Sequence, residues 1–191
     1  MSKTFRKIIS TIIIITTILA VYLGALSAFR KSSLYINAIK APYTNEYTTA
    51  KQITDNFEKV FNSPSPVGQD ELIKRTFATI TTIANNEELP EEVLVYLAEF
   101  VEDNAVEDEL IHLQYIANMY NRLYLNTEKQ EYLKKGEEYL IKVREIGPKL
   151  PQPLESLAIL YTKTGEVDKL QEITNKILEL WPDHPSIKKN K

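Results

Sequence analysis

The chain has 191 residues, enough for one domain and an anchoring or targeting segment. Five Gly, no Cys and a wealth of Leu, Glu, Lys, Ile and Tyr favour an all-helical protein and exclude disulfides and thiolate metal sites. The formal charge of -3 is laid out unevenly: no acid precedes Glu46, and Phe77 to Asn121 holds ten carboxylates without a Lys or Arg, which argues against a grip on nucleic acid.

Ile8 to Phe29 is a run of 22 uncharged residues. As a helix rising ~1.5 Å per residue it is roughly 33 Å long, about the hydrocarbon thickness of a bilayer. Lys3, Arg6 and Lys7 precede it, and Arg30 and Lys31 follow it. Tyr22 and Phe29 lie toward its far end, where interfacial aromatics are expected. Residues 1–31 read as a single-pass membrane anchor. The alternative is a cleaved signal peptide cut near Ala25-Leu26-Ser27, which requires a shorter apolar region. The cations Lys3, Arg6 and Lys7 nearly balance Arg30, Lys31 and Lys40. The free amino terminus tips the orientation toward a cytoplasmic N-terminus, leaving the soluble part extracytoplasmic.

Residues 32–68 form a juxtamembrane helix and linker. Tyr47, Ala50, Ile53, Phe57, Val60 and Phe61 predict a helix from Tyr43, with Pro42 at its start, and Asn62-Ser63-Pro64-Ser65-Pro66-Val67-Gly68 ends it. Residues 69–105 predict a helical hairpin: Gln69 to Ala84, then a second helix opened by Pro90, with Glu91 and Glu92 complementing the dipole. Residues 106–186 predict two further hairpins. Their helices run from Glu107 to Tyr124, from Glu131 to Ile146, from Pro151 to a break at Gly165, and then through Leu170, Ile173, Thr174 and Ile177 to Trp181-Pro182. Residues 187–191 are a tail.

The last two hairpins repeat. Pro148 and Pro182, Gly136 and Leu170, and Val143 and Ile177 are each 34 apart, whereas Ala117 and Ala158, and Tyr120 and Tyr161, are 41 apart. The units match if seven extra residues form a loop insertion around Leu125 to Gln130 of the first. The pattern Leu154-x-x-Leu157-Ala158-x-x-Tyr161-x-x-x-Gly165, then Leu170, Thr174, Ile177 and Pro182, resembles the tetratricopeptide repeat, with Leu170 where that repeat has a small residue. The expected fold is all-α: an N-terminal transmembrane helix followed by a tetratricopeptide-like helical-hairpin stack, an α-solenoid.

That resemblance implies a protein-interaction module without catalysis of its own, binding a protein partner through its first helices. The aligned positions are Gln114, Asn118 and Asn121 in one unit and Glu155, Ile159 and Thr162 in the next. The paired Lys and Arg that clamp a peptide carboxylate in chaperone-binding relatives are missing there. The order of parts, a membrane helix, a short helix ending in Phe61-Asn62-Ser63-Pro64-Ser65-Pro66-Val67-Gly68-Gln69-Asp70-Glu71 and then repeat units, is also similar to the C-terminal region of bacterial O-antigen ligase-like proteins. This second resemblance implies an accessory part, or a fragment, of a ligase or polymerase in cell-surface polysaccharide assembly. No catalytic residue carries over, because that family's chemistry belongs to a multi-helix membrane core.

Other chemistry is weakly signalled, and no cofactor, metal or catalytic residue is expected. His112 and His184 have no partner at ligand spacing. Glu102, Asp103, Glu107, Asp108 and Glu109 lack the order of a calcium loop and read as a solvated helix junction. Tyr115, Tyr120, Tyr124, Tyr132, Tyr139 and Tyr161 sit at helical spacing beside Leu and read as inter-helix packing.

Overall fold

The computed structural model describes residues 3–40, 49–65, 68–86 and 89–183, and every regular element among them is helical. The chain divides into two compact units, Met1–Thr79 and Ile80–Lys191.

In the first unit, Lys3–Val21 (α1), a π-helical turn at Tyr22–Leu26 and Ser27–Lys40 (α2) form one continuous helix of 38 residues, long and apolar enough to cross a membrane. No residue of α1 is buried, and Ile12, Ile13, Ile14, Ile15 and Ile18 are all exposed. A core helix of a soluble domain would bury such side chains. At the π turn the Ser27 N–H bonds back to the Tyr22 carbonyl, and Ser27 Oγ donates to the Leu23 carbonyl at 2.5 Å. A hydroxyl competing for a helical carbonyl is one way a ladder slips by a residue.

The helix does not stop at Arg30-Lys31. Lys31 turns inward, is 2% exposed, and donates to the Ser63 carbonyl at 2.8 Å and to Gln69 Oε1. A buried ammonium demands such acceptors. Gln69 Nε2 in turn donates to the Phe61 carbonyl at 3.3 Å, so the linker is held at both ends. Ala50–Phe61 (α3) starts at a capping box, in which Thr49 Oγ1 accepts from the Gln52 N–H and Gln52 Oε1 from the Thr49 N–H, each at 3.3 Å. The predicted start at Tyr43 lies outside the described residues. Helix α3 buries Ala50, Thr54, Phe57 and Val60, with Phe57 6.4 Å from Tyr35 of α2.

The division between the units falls inside Gln69–Asn86 (α4). The second unit continues with Glu91–Asp103 (α5), Leu110–Thr127 (α6), Gln130–Ile146 (α7), Pro151–Thr164 (α8) and Val167–Leu180 (α9). From α5 onward each helix packs on the next, so the unit is a run of helical hairpins. Its core joins Ala117 of α6, Leu133 and Leu140 of α7, Leu154, Leu157, Leu160 and Tyr161 of α8, and Ile173 and Ile177 of α9.

Two details differ from the sequence expectation. Helix α6 begins at Leu110 and not at Glu107. Val106 to Glu109 make a turn closed by the Glu109 N–H on the Val106 carbonyl at 3.2 Å, with Asp108 at φ 27. His112, wholly buried, secures that turn by accepting the Val106 N–H on Nδ1 at 3.0 Å. Second, the seven extra residues are not a loop. Helix α6 runs seven residues past Tyr120 where α8 runs three past Tyr161, a gain of four. Helix α7 starts six residues before Gly136 where α9 starts three before Leu170, a gain of three. Both turns keep two residues, led by a left-handed C-cap: Glu128 at φ 58 in one, Gly165 at φ 73 in the other. About one extra turn on each paired helix keeps the buried faces in phase, since a turn takes ~3.6 residues.

Gly136 of α7 faces Asn121 of α6 with no room for a side chain of its own. A Cβ built there would meet Asn121 Oδ1 at 2.2 Å and Cγ at 3.1 Å. Gly136→Ala should therefore lower the stability of the full chain by about 1–3 kcal/mol, overpacking outweighing the ~0.5–1 kcal/mol gain in helix propensity. In an Asn121→Ala background the same change should become stabilising. Thermal melts of the four proteins in detergent, followed by circular dichroism, check the reversal of sign.

Candidate functional site

The predicted binding positions fall on α6 and α8. Gln114 Nε2 lies 3.3 Å from Asn118 Oδ1 of its own helix and 3.4 Å from Ser156 Oγ, so the amide bridges α6 to α8 at the residue that follows Glu155. Gln114, Asn118 and Glu155 are half-buried. Ile159 is 58% exposed and Thr162 is exposed, its hydroxyl bonded to the Ala158 carbonyl of its own helix at 2.7 Å. Asn121 points elsewhere: its Oδ1 is buried against Gly136 of α7. The face so formed is polar at α6 and turns apolar at Ile159.

What fixes α6 and α8 in place is a set of carboxylate–tyrosine–lysine clasps. Glu102 of α5 accepts from Tyr120 of α6 at 2.5 Å, from Tyr139 of α7 at 2.6 Å and from Lys135 of α7 at 2.7 Å. Lys135 Nζ also donates to Tyr120 Oη at 2.7 Å and lies 4.4 Å from the ring centroid. The Tyr120 and Tyr139 rings stack 4° from parallel, with centroids 6.3 Å apart. One hairpin later, Glu137 of α7 accepts from Tyr161 of α8 at 2.6 Å and from Lys169 of α9 at 2.9 Å. Glu91, in the first turn of α5, accepts from Tyr132 of α7 at 2.7 Å and from Lys129 at 2.6 Å.

The two inner clasps are one repeated device. Tyr120 and Tyr161 are 41 apart and Lys135 and Lys169 are 34 apart, the same two spacings that relate the hairpins. Each time, a Glu on the second helix of one hairpin takes the Tyr on the first helix of the next. The lysine pair was a legible signal that the apolar pattern alone does not use. Glu102 is thus no member of a solvated acidic junction; it is satisfied by three donors. Among the described residues no group of three or more His, Asp or Glu side chains is placed to hold a metal ion. His184 lies outside the described residues.

The clasps leave an electrostatic mark. Burial pushes the Glu102 carboxyl up, but the donors Lys135, Tyr120 and Tyr139 outweigh it and hold it below the ordinary carboxylate value. Glu137 follows the same balance, with Lys169 and Tyr161 as donors. Burial and the adjoining carboxylate raise Tyr120, Tyr139 and Tyr161, while Tyr132 is pushed up to about 12, chiefly by its bond to Glu91.

No family model matches the chain, and no curated protein does. Among solved structures, MamA 41-end from Desulfovibrio magneticus RS-1 is similar at 16% identity over 81% of this chain and 77% of that one, with a TM-score of 0.48. The likeness to O-antigen ligase-like proteins gains no support from these comparisons.

Tyr161→Phe should lower unfolding free energy by about 1–3 kcal/mol, the cost of removing a donor from a partly buried carboxylate. The pH dependence has two limbs. Glu102 and Glu137 sit below 4.5 when folded, so their contribution is complete above 4.5 and is lost as pH falls through the lower folded values. Tyr132, raised from 10.0 to about 12, contributes fully below 10.0 and loses that contribution as pH rises toward about 12. Glu102→Gln with Glu137→Gln should flatten the acid limb in melts taken from neutral pH to about pH 3.

Proposed function

We propose that this chain is a membrane-anchored, tetratricopeptide-like module that holds a protein partner on the α6–α8 face and has no catalysis of its own. The observation that supports it most is the Gln114 bridge from α6 to Ser156 of α8, with Ile159, three residues further along α8, presented at 58% exposure. An exposed apolar side chain near polar groups suits a protein surface that buries a few anchors within a polar rim.

Anchoring draws support from the exposed apolar surface of α1 and from the clamp on Lys31. The helix that would span the bilayer is continuous with α2, and α2 packs on α3. Cleavage at Ala25-Leu26-Ser27 would sever that helix at its π turn. The clamp also bears on orientation. With Lys31 withdrawn into protein contacts, Arg30 and Lys40 face Lys3, Arg6 and Lys7, which favours a cytoplasmic N-terminus and an extracytoplasmic folded part.

The cysteine-free sequence makes the test clean. A photocrosslinking residue at position 159 of the membrane-embedded full chain should capture a discrete protein, and capture from position 118 should be lost when Ile159 is changed to Asp. The same probe at exposed Glu131 of α7 should not capture it. Equal labelling at 131 and 159, or none at 118 and 159, overturns the assignment of the face. A single cysteine at Thr162 should react with a membrane-impermeant maleimide in intact cells; protection until the cells are opened reverses the orientation.

A further inference from the structure

A second concave feature lies away from the α6–α8 face, between the α5–α6 turn and the C-terminal end of α7. It is a cleft of about 380 Å³, toward the small end of the ~300–1,000 Å³ typical of ligand sites. Its floor is apolar: Leu113 and Ile116 are buried at the base. Val106, 54% exposed, and Ile146, 45% exposed, stand on its walls from two different elements. Exposed branched side chains converging on one concavity mark a place where apolar surface is left for something else to cover.

The rim is predominantly acidic. Glu107 and Asp108 on the turn and Glu145 on α7 line it, and all three are exposed and outside the ion pairs of the described residues. Glu102 also reaches the cleft, but its charge is met by Lys135 and two tyrosines. Lys142, the cation of the lining, is held by Glu138 at 2.8 Å and lies 4.8 Å from the Tyr139 ring centroid. The surrounding sequence cannot relieve the excess, since no Lys or Arg occurs from Phe77 to Asn121. An apolar floor under an anionic rim selects a ligand that is apolar at its centre and cationic at its flanks. An acidic segment or an anionic membrane surface is repelled by the rim, and a purely basic segment leaves the floor uncovered.

We infer that this cleft binds a short extended protein segment in which one branched apolar side chain is flanked by lysines or arginines. The apolar residue fills the space between Val106 and Ile146, and the flanking cations meet Glu107, Asp108 and Glu145. The inference rests on the reading of the chain as an interaction module and adds a second contact with its own chemistry.

The test uses the full chain in nanodiscs of zwitterionic phosphatidylcholine, so that lipid charge does not attract the probe. Fluorescein-labelled Lys-Lys-Ile-Lys-Lys is titrated by anisotropy beside Lys-Lys-Ser-Lys-Lys and Glu-Glu-Ile-Glu-Glu. The expected result is that the first peptide binds at least about tenfold more tightly than either control. The triple change Glu107→Gln, Asp108→Asn, Glu145→Gln should weaken it by about tenfold, and high salt should do the same. Val106→Ser should erase the preference for isoleucine over serine while leaving the salt dependence. Circular dichroism melts show whether each variant is folded, and Val106→Ser stands alone if the triple variant is not. No binding, equal binding of the isoleucine and serine peptides, or an unchanged affinity in folded triple variant overturns the inference. Retention of crosslinking at position 159 in that variant separates failure of the cleft from failure of the α6–α8 face.

Discussion

A carboxylate drawn between helices must be given donors or take up a proton, and Glu102 has been given three. Those donors come from α6 and α7, so one side chain of α5 fixes the placement of both helices of the next hairpin. Apolar packing does not supply that precision by itself. Leucines and isoleucines on amphipathic helices tolerate small slides, whereas two phenols and an ammonium must reach the two oxygens of one carboxylate at 2.5–2.7 Å. The clasp at Glu137 repeats the constraint between α7, α8 and α9. Two clasps in register therefore set where α6 and α8 stand, and with them the face that carries Gln114, Asn118, Glu155 and Ile159.

The same device explains how unequal repeats coexist. Lengthening a hairpin would carry its later residues away from their partners if the insertion changed the helical phase. The four residues added to α6 lie beyond Tyr120, and the three added to α7 lie before Lys135, so neither clasp residue is displaced relative to the Glu on α5. The added turns instead bring Lys129 and Tyr132 within reach of Glu91 at the other end of α5. The longer hairpin thus gains a third clasp from the residues that make it longer. The left-handed C-cap is kept as well, at Glu128 in place of a glycine, which costs some backbone strain but preserves the tight turn.

Much of the helix order was legible because helical periodicity, Pro at helix starts and Gly at breaks are local signals. Pro151, Gly165 and the stripe through Leu154, Leu157 and Tyr161 define α8 in the sequence as they do in the structure. The start of α6 was not legible in that way. Glu107, Asp108 and Glu109 look like a favourable first turn, yet the backbone there is bound by a buried His112 whose reach to Val106 depends on the folded turn. The lengthened helices were missed for a related reason: Leu125 to Gln130 is polar enough to pass for a loop, yet all but the turn residues Glu128 and Lys129 belong to the paired helices α6 and α7. Asn121 is expected on the inner, partner-binding face from its alignment with the tetratricopeptide repeat, but a neighbour without a Cβ at position 136 opens a site into which it turns instead.

The acidic sequence between Phe77 and Asn121 shows how composition divides between structure and function once geometry is known. As a count of charges it is uniform. In the fold it separates into carboxylates that are consumed and carboxylates that are left over. Glu91 and Glu102 are neutralised by cations from outside that sequence, Lys129 on the turn before α7 and Lys135 on α7. Glu107 and Asp108 are left facing solvent across a cleft with an apolar floor. A segment without a cation of its own depends on its neighbours for neutralisation, and α7 supplies Lys135 to Glu102 while its Lys142 pairs with Glu138 of its own helix. Residual charge therefore remains beside exposed Val106 and Ile146, which is the combination that a basic, apolar-centred segment complements.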